Sequence, residues 1–213
     1  MLEAQQLRLM VVTSGAFRGR SHGEVADAAI RGGATALQLR APELDDDELL
    51  ALATDLAARC REAGVLFVVN DRVEIAEASG ADGAHVGQGD QLRDARAILG
   101  PGRALGISVA DPEQAHEALA FGADYLGVTV WATATKPEAL PGGLEGLRAV
   151  AHATHLPVVG IGGIDATNAS KVLRAGAAGV AVISAVADAD DQGDATRELR
   201  RAVDEAIDGR GAP

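Results

Sequence analysis

Eight short apolar runs rich in Val, Ile and Leu alternate with eight Ala- and Leu-rich segments of helical period along the 213 residues. This predicts an α/β fold, a single TIM (β/α)8 barrel, and three observations carry it. The number of strand–helix units is the number that closes a barrel. The strands are continuous apolar runs, as in parallel sheets buried on both faces. No compositional break marks a second domain, so residues 1–213 read as one domain with its core over about 7–208. An open doubly wound sheet is the alternative architecture.

In chain order, LRLMVVT (7–13) is the first strand, and the loop SGAFRGRSH leads to a helix over 23–32. ATALQLR (34–40) is the second strand, followed by an amphipathic helix over 46–63. VLFVVN (65–70) precedes a helix at 73–79, and GAHVG (83–87) precedes one at 91–99. ALGIS (104–108) is followed by a helix at 112–121 and YLGVTV (125–130) by one at 144–153. PVVGI (157–161) leads to a helix over 165–175, and GVAVIS (179–184) to a last helix over 194–208. Glycines in RGGAT, EAGVL, ASGADG, LGPG, FGADY and RAGAAG mark helix ends, where the chain turns into the left-handed region. Asp111 and Asp165 stand where a carboxylate can cap the helix that follows.

Composition narrows the function. The net charge of −12 is spread along helices, which argues against a nucleic-acid surface and fits a solvated acidic one. No apolar run reaches the roughly 20 residues of a membrane span. The N-terminus lacks the features of a signal peptide. The lone Cys60 cannot form an internal disulfide, so a reducing cytoplasm is the expected setting. Cys60 reads as a small buried hydrophobe. His22, His116, His152 and His155 read as solvated, and His85 as packed between sheet and helix. No histidine pair has metal-ligand spacing, and no G-x-S-x-G elbow supports a hydrolase.

A barrel places its chemistry at the C-terminal ends of the strands. The unusual residues fall there: Gln38 and Arg40, Asn70 and Asp71, Gln88 and Asp90, Ser108, then Thr133, Thr135 and Lys136, and finally Ser184. Gly162 and Gly163 follow the seventh strand, where bare backbone N–H groups can approach a ligand, and the last two loops are the usual phosphate site of a barrel. A tight turn that serves packing alone is the plainer explanation of those glycines. Asp71 and Asp90, from adjacent strand ends, suit Mg2+, which takes one or two carboxylates with waters and phosphate oxygens. For Asp71 a helix cap or an ion pair with Arg72 is the plainer alternative. Lys136 can pair with a phosphate, or stand as a solvated surface lysine. Arg40 ends a buried strand, where its charge requires an anion. Two-substrate group transfer and phosphosugar isomerisation both fit such a site.

The segments GGATALQLR, GVLFVVNDRVEIAEASGADGAHVGQGD, LGISV, GADYLGVTVWATATKPEA, VVGIGGI and AGAAGVAVISAV together resemble the thiamine phosphate synthase family, from the second strand to the eighth. The resemblance implies a transferase that joins hydroxymethylpyrimidine diphosphate to a thiazole phosphate, giving thiamine phosphate and pyrophosphate. It implies a dissociative route through a pyrimidine cation. It places Gln38 against the pyrimidine, and Arg40, Asn70 and Lys136 on the diphosphate. Asp71 and Asp90 would hold Mg2+, and Ser108 would lie beside the pyrimidine or the departing pyrophosphate. Thr133 and Thr135 would contact the thiazole, with Gly163, Ile183 and Ser184 on its phosphate. The implied partners are small phosphorylated substrates, and homo-oligomerisation is left open.

The sequence departs from the family pattern in three places. Pro42 stands where a lysine is common after the second strand, a contact that Arg18 or Arg20 would have to replace. Ala110 stands where a histidine is frequent, and the loop after the sixth strand is about a residue short. A related thiazole tautomerase needs that histidine and tends to lose the Asn-Asp pair, so the retained Asn70 and Asp71 favour the synthase. A non-catalytic homologue that binds thiamine phosphates is the remaining alternative, supported by Pro42 and opposed by Asp71, Asp90 and Lys136.

Overall fold

The protein is described here from a computed structural model, covering residues 2–14, 19–88, 91–132 and 141–209. Eight strands, β1 (Leu9–Thr13), β2 (Ala36–Leu39), β3 (Leu66–Asn70), β4 (Gly83–Val86), β5 (Ala104–Ser108), β6 (Tyr125–Thr129), β7 (Val158–Ile161) and β8 (Gly179–Val182), pair in sequence order into a closed barrel. Every pairing is parallel, and β8 closes the ring on β1 with Val180 beside Leu9. The barrel replaces the open sheet as the architecture.

The helices that return the chain are α1 (His22–Gly32), α2 (Asp46–Ala63), α3 (Val73–Ala78), α4 (Gln91–Leu99), α5 (Pro112–Ala120), α6 (Gly143–Ala153), α7 (Ala169–Arg174) and α9 (Gln192–Asp208). A four-residue α8 (Ser184–Ala187) lies between β8 and α9, so Ser184 opens a helix turn rather than ending a strand. Local chemistry sets these boundaries. Ser21 with Glu24, and Asp45 with Glu48, form reciprocal capping boxes. Asp111 caps α5 by accepting from the Gln114 N–H. Gly33 (φ 89°) and Gly64 (φ 67°) end α1 and α2 in the left-handed region. Asp165 does not cap α7. Its carboxylate accepts from the N–H and hydroxyl of Thr167, which holds a separate turn and delays the helix to Ala169.

Two apolar cores result. Outward strand residues such as Val11, Leu37, Phe67, Ile107 and Leu126 pack beneath the helices. Inward residues Met10, Val12, Ala36, Leu66, Val68, Tyr125, Val159 and Ala181 fill the barrel. With few aromatic residues, Val, Leu and Ala do most of this filling. At the C-terminal ends of the strands the inward residues turn polar, and the barrel opens.

Candidate active site

The strand period of two decides which residues face the opening. On β2 Gln38 points inward, and Arg40 follows it on the same side. On β3 this is Asn70, and on β5 Ser108. One cavity is lined by Gln38, Arg40, Asn70 and Ser108, with Gly163, Ile183 and Ser184 on its far side. These seven predicted residues are brought together. Asp71 stands beside Asn70 on the rim. Asp90, Thr133, Thr135, Lys136 and Arg18 lie outside the described residues.

Arg40 is half-buried, and among the described residues no carboxylate forms an ion pair with it. A neighbouring anion, Glu43, is held by His22 Nε2 at 2.8 Å. Burial works to raise the Glu43 pKa. The His22 hydrogen bond and nearby positive charge, Arg40 included, outweigh it and leave the carboxyl below its ordinary value. Arg40 thus lines the cavity as a cation with no carboxylate paired to it among the described residues. Gln38 is buried, and among the described residues its amide nitrogen makes only a 3.5 Å contact with Met10 Sδ, which leaves the carboxamide to a polar ring.

Asp71 has a positive φ of 63°, the only such non-glycine among the described residues. Aspartate tolerates this region better than most residues, at a cost of about 1–2 kcal/mol. Its N–H donates to the His85 carbonyl at 2.8 Å, and its carboxylate accepts from the Asn70 amide at 2.6 Å. Arg72 pairs instead with Asp46 at 2.8 Å, and Arg72, not Asp71, holds the N-cap position of α3. Both plainer explanations of Asp71 therefore fail. Among the described residues no three His, Cys, Asp or Glu side chains cluster as a metal cage. An exposed carboxylate on the rim of the cavity fits a hard cation that keeps its waters, as Mg2+ does.

Gly162 (φ 97°) and Gly163 (φ 62°) both lie in the left-handed region. A Cβ on Gly162 would also run into the Trp131 carbonyl. The Asn168 amide spans the turn by donating to the Gly163 carbonyl at 2.9 Å. The turn is therefore tight, and both of its glycines also line the cavity.

Two histidines depart from expectation. His22 is not solvated: it is buried, with Nδ1 2.9 Å from Thr13 Oγ1 and Nε2 on Glu43. His85 is not between sheet and helix. It points into the barrel, lines the cavity, and bridges Tyr125 Oη and Ser108 Oγ at 3.0 Å each. Sequence reasoning missed both His85 and Tyr125 as cavity residues. The glycines opposite them, Gly106 and Gly127, were the available signal. Arg20 does not take the place of the lysine missing at Pro42. Its guanidinium donates to the carbonyls of Ala189 (2.6 Å) and Asp190 (2.8 Å), past the end of α8. Cys60 is buried, and burial pushes its thiol up to about 12, so it is inert.

The thiamine monophosphate synthase family matches residues 9–186. The chain is 48% identical over 200 residues to the thiamine-phosphate synthase of Chloroflexus aurantiacus, covering 92% of each protein. It is 48% identical over 155 residues to that of Moorella thermoacetica, covering 71% of this chain and 74% of that protein. The solved structure of a thiamine phosphate pyrophosphorylase from Pyrococcus furiosus superposes with a TM-score of 0.89 at 41% identity, covering 96% of this chain and 98% of that one. The polar residues of the barrel mouth and these likenesses agree, and the chain belongs to the thiamine monophosphate synthase family of transferases.

Proposed function

We propose that the barrel mouth joins hydroxymethylpyrimidine diphosphate to a thiazole phosphate, forming thiamine phosphate and pyrophosphate, in a reducing cytoplasm. The observation that carries this reading is Arg40, a half-buried cation facing the cavity with its neighbouring carboxylate engaged elsewhere. It supplies a seat for an anion, and a diphosphate leaving group needs one.

In this reading the carbon–oxygen bond to the diphosphate breaks first, and the diphosphate departs with the electron pair. The thiazole nitrogen then gives its lone pair to the exocyclic carbon, which forms the carbon–nitrogen bond. Little acid–base chemistry is required. The chain must hold charge and align two rings. Arg40 and Asn70, with Lys136, bind the diphosphate, while Gln38 orients the aminopyrimidine from the cavity wall. Ser108 lies beside the pyrimidine or the departing diphosphate. Thr133 and Thr135 contact the thiazole. Gly163, Ile183 and Ser184 seat its phosphate across the cavity, which fixes the distance between the rings. Asp71, with Asp90, would hold Mg2+, which supplies positive charge to the leaving diphosphate. With Arg20 bound at the end of α8, Arg18 is the remaining replacement for the lysine absent at Pro42.

The test is a coupling assay with both substrates and Mg2+, with and without EDTA, reading thiamine phosphate as fluorescent thiochrome. Mg2+-dependent product is the expected result. Thiazole phosphate binding without any product would instead favour a non-catalytic binder.

A further inference from the structure

Three polar groups on neighbouring strands meet inside the barrel. His85 on β4 reaches Tyr125 Oη on β6 through Nδ1, and Ser108 Oγ at the end of β5 through Nε2, each at 3.0 Å. Two glycines make room for the imidazole. A Cβ on Gly106 would overlap both Tyr125 and His85 Nδ1, and one on Gly127 would come within 2.9 Å of His85 Cε1. The strands have given up side chains at the two positions where this ring sits.

The direction of donation follows from burial. Tyr125 is fully buried, and desolvation pushes its pKa up, so it remains a phenol with one hydrogen to place. Its hydrogen bond among the described residues is to His85 Nδ1. A phenol donating to Nδ1 makes that nitrogen the acceptor, and the neutral ring then carries its hydrogen on Nε2. Nε2–H in turn donates to Ser108 Oγ. The serine oxygen is occupied as an acceptor, so its own hydrogen is turned toward the cavity that Ser108 lines.

We propose that His85 is a positioning residue: with its tautomer set by Tyr125, it holds Ser108 so that the hydroxyl donates to an acceptor atom of the pyrimidine diphosphate. This rests on the placement of Ser108 beside that substrate. A hydroxyl already aimed costs no reorganisation as charge develops on the leaving group.

The first test needs no turnover. Nitrogen-15 NMR of the His85 imidazole in the wild-type protein should show the neutral Nε2–H tautomer, and an Nδ1–H tautomer would overturn the relay. The second test is kinetic. His85→Leu should lower kcat by about tenfold to a hundredfold, less than the outright loss of an aimed donor because the Ser108 hydroxyl remains, with KM for the thiazole phosphate unchanged. His85→Gln, which keeps a side-chain N–H at the reach of Nε2, should recover most of the loss. Adding His85→Leu to Ser108→Ala should cost nothing further. Equal losses in both backgrounds, or a His85→Gln as poor as His85→Leu, would overturn the proposal. A wild-type protein that makes no thiamine phosphate would refute the proposed function instead, and the tautomer would still decide the relay.

Discussion

Single side chains at the barrel mouth divide into those that carry charge and those that carry shape. Arg40 carries charge. Arg40→Gln should reduce kcat/KM for the pyrimidine diphosphate by about tenfold to a hundredfold, the worth of a hydrogen bond between charged groups. Thiazole phosphate affinity, measured by calorimetry, should be unchanged. Gly162 carries shape. Gly162→Ala combines a φ of 97° with a clash on the Trp131 carbonyl and should cost about 1–3 kcal/mol in denaturant unfolding. A Cβ on Gly163 would meet Trp131 Cβ at 3.4 Å and the Ala132 carbonyl at 3.7 Å without a clash, so Gly163→Ala carries only the strain of a φ of 62° and should cost less stability than Gly162→Ala while disturbing phosphate binding. Asp71→Asn keeps a residue that tolerates φ 63°. It should fold as the wild type does and lose Mg2+-dependent turnover; near-normal activity would remove the metal assignment. At this scale Arg40, Asn70 and Ser108 were legible, because a polar side chain ending an apolar strand is conspicuous. His85 and Tyr125 were not. Both faces of a parallel strand are buried, so alternation separates the faces without naming the inner one.

Connections between elements set the shape of the rim. His22, in the first turn of α1, joins Thr13 at the end of β1 to Glu43 in the β2–α2 loop. This ties the loop that follows Arg40 to the first strand unit. The sequence around His22 shows only a loop residue before a helix, since its partners lie 9 and 21 residues away. The pH dependence has a definite sign. A carboxyl whose folded pKa lies below its ordinary 4.5 stabilises the fold above that value, and the contribution is lost as pH falls through the folded pKa. Glu43→Gln should therefore cost about 0.5–1 kcal/mol near neutrality, the small worth of a partly exposed pair. Urea titrations should show that gap closing as pH falls below 4.5.

At the scale of the whole molecule, the two ends of the barrel have separate duties. The C-terminal end is polar and open. At the other end Arg96 stitches the entries of β5 and β6, donating to the carbonyls of Gly100, Arg103 and Gly122 and pairing with Asp124 at 2.6 Å. Arg96→Leu leaves those carbonyls without their donor and the Asp124 carboxylate without its ion pair, though it keeps the Leu105 N–H, and should lower stability by about 2–4 kcal/mol. KM for both substrates should stay unchanged, since Arg96 is not among the residues that line the cavity. A changed KM in a folded variant would show that the two ends are coupled.

The sequence by itself determined the eight strand–helix units, their order, the capped helix starts, and most of the polar strand ends that form the mouth. Those features are local: they depend on residue period, on capping carboxylates such as Asp111, and on glycines such as Gly33 and Gly64. Only the tertiary structure decided that β8 closes on β1, that Arg20 turns to the end of α8, and that Asp165 holds a turn rather than α7. It also decided that His85 occupies the space left by Gly106 and Gly127. Each of these depends on groups brought together from distant parts of the chain, and local sequence pattern does not encode which of two buried faces, or which carbonyl across a loop, a side chain will meet.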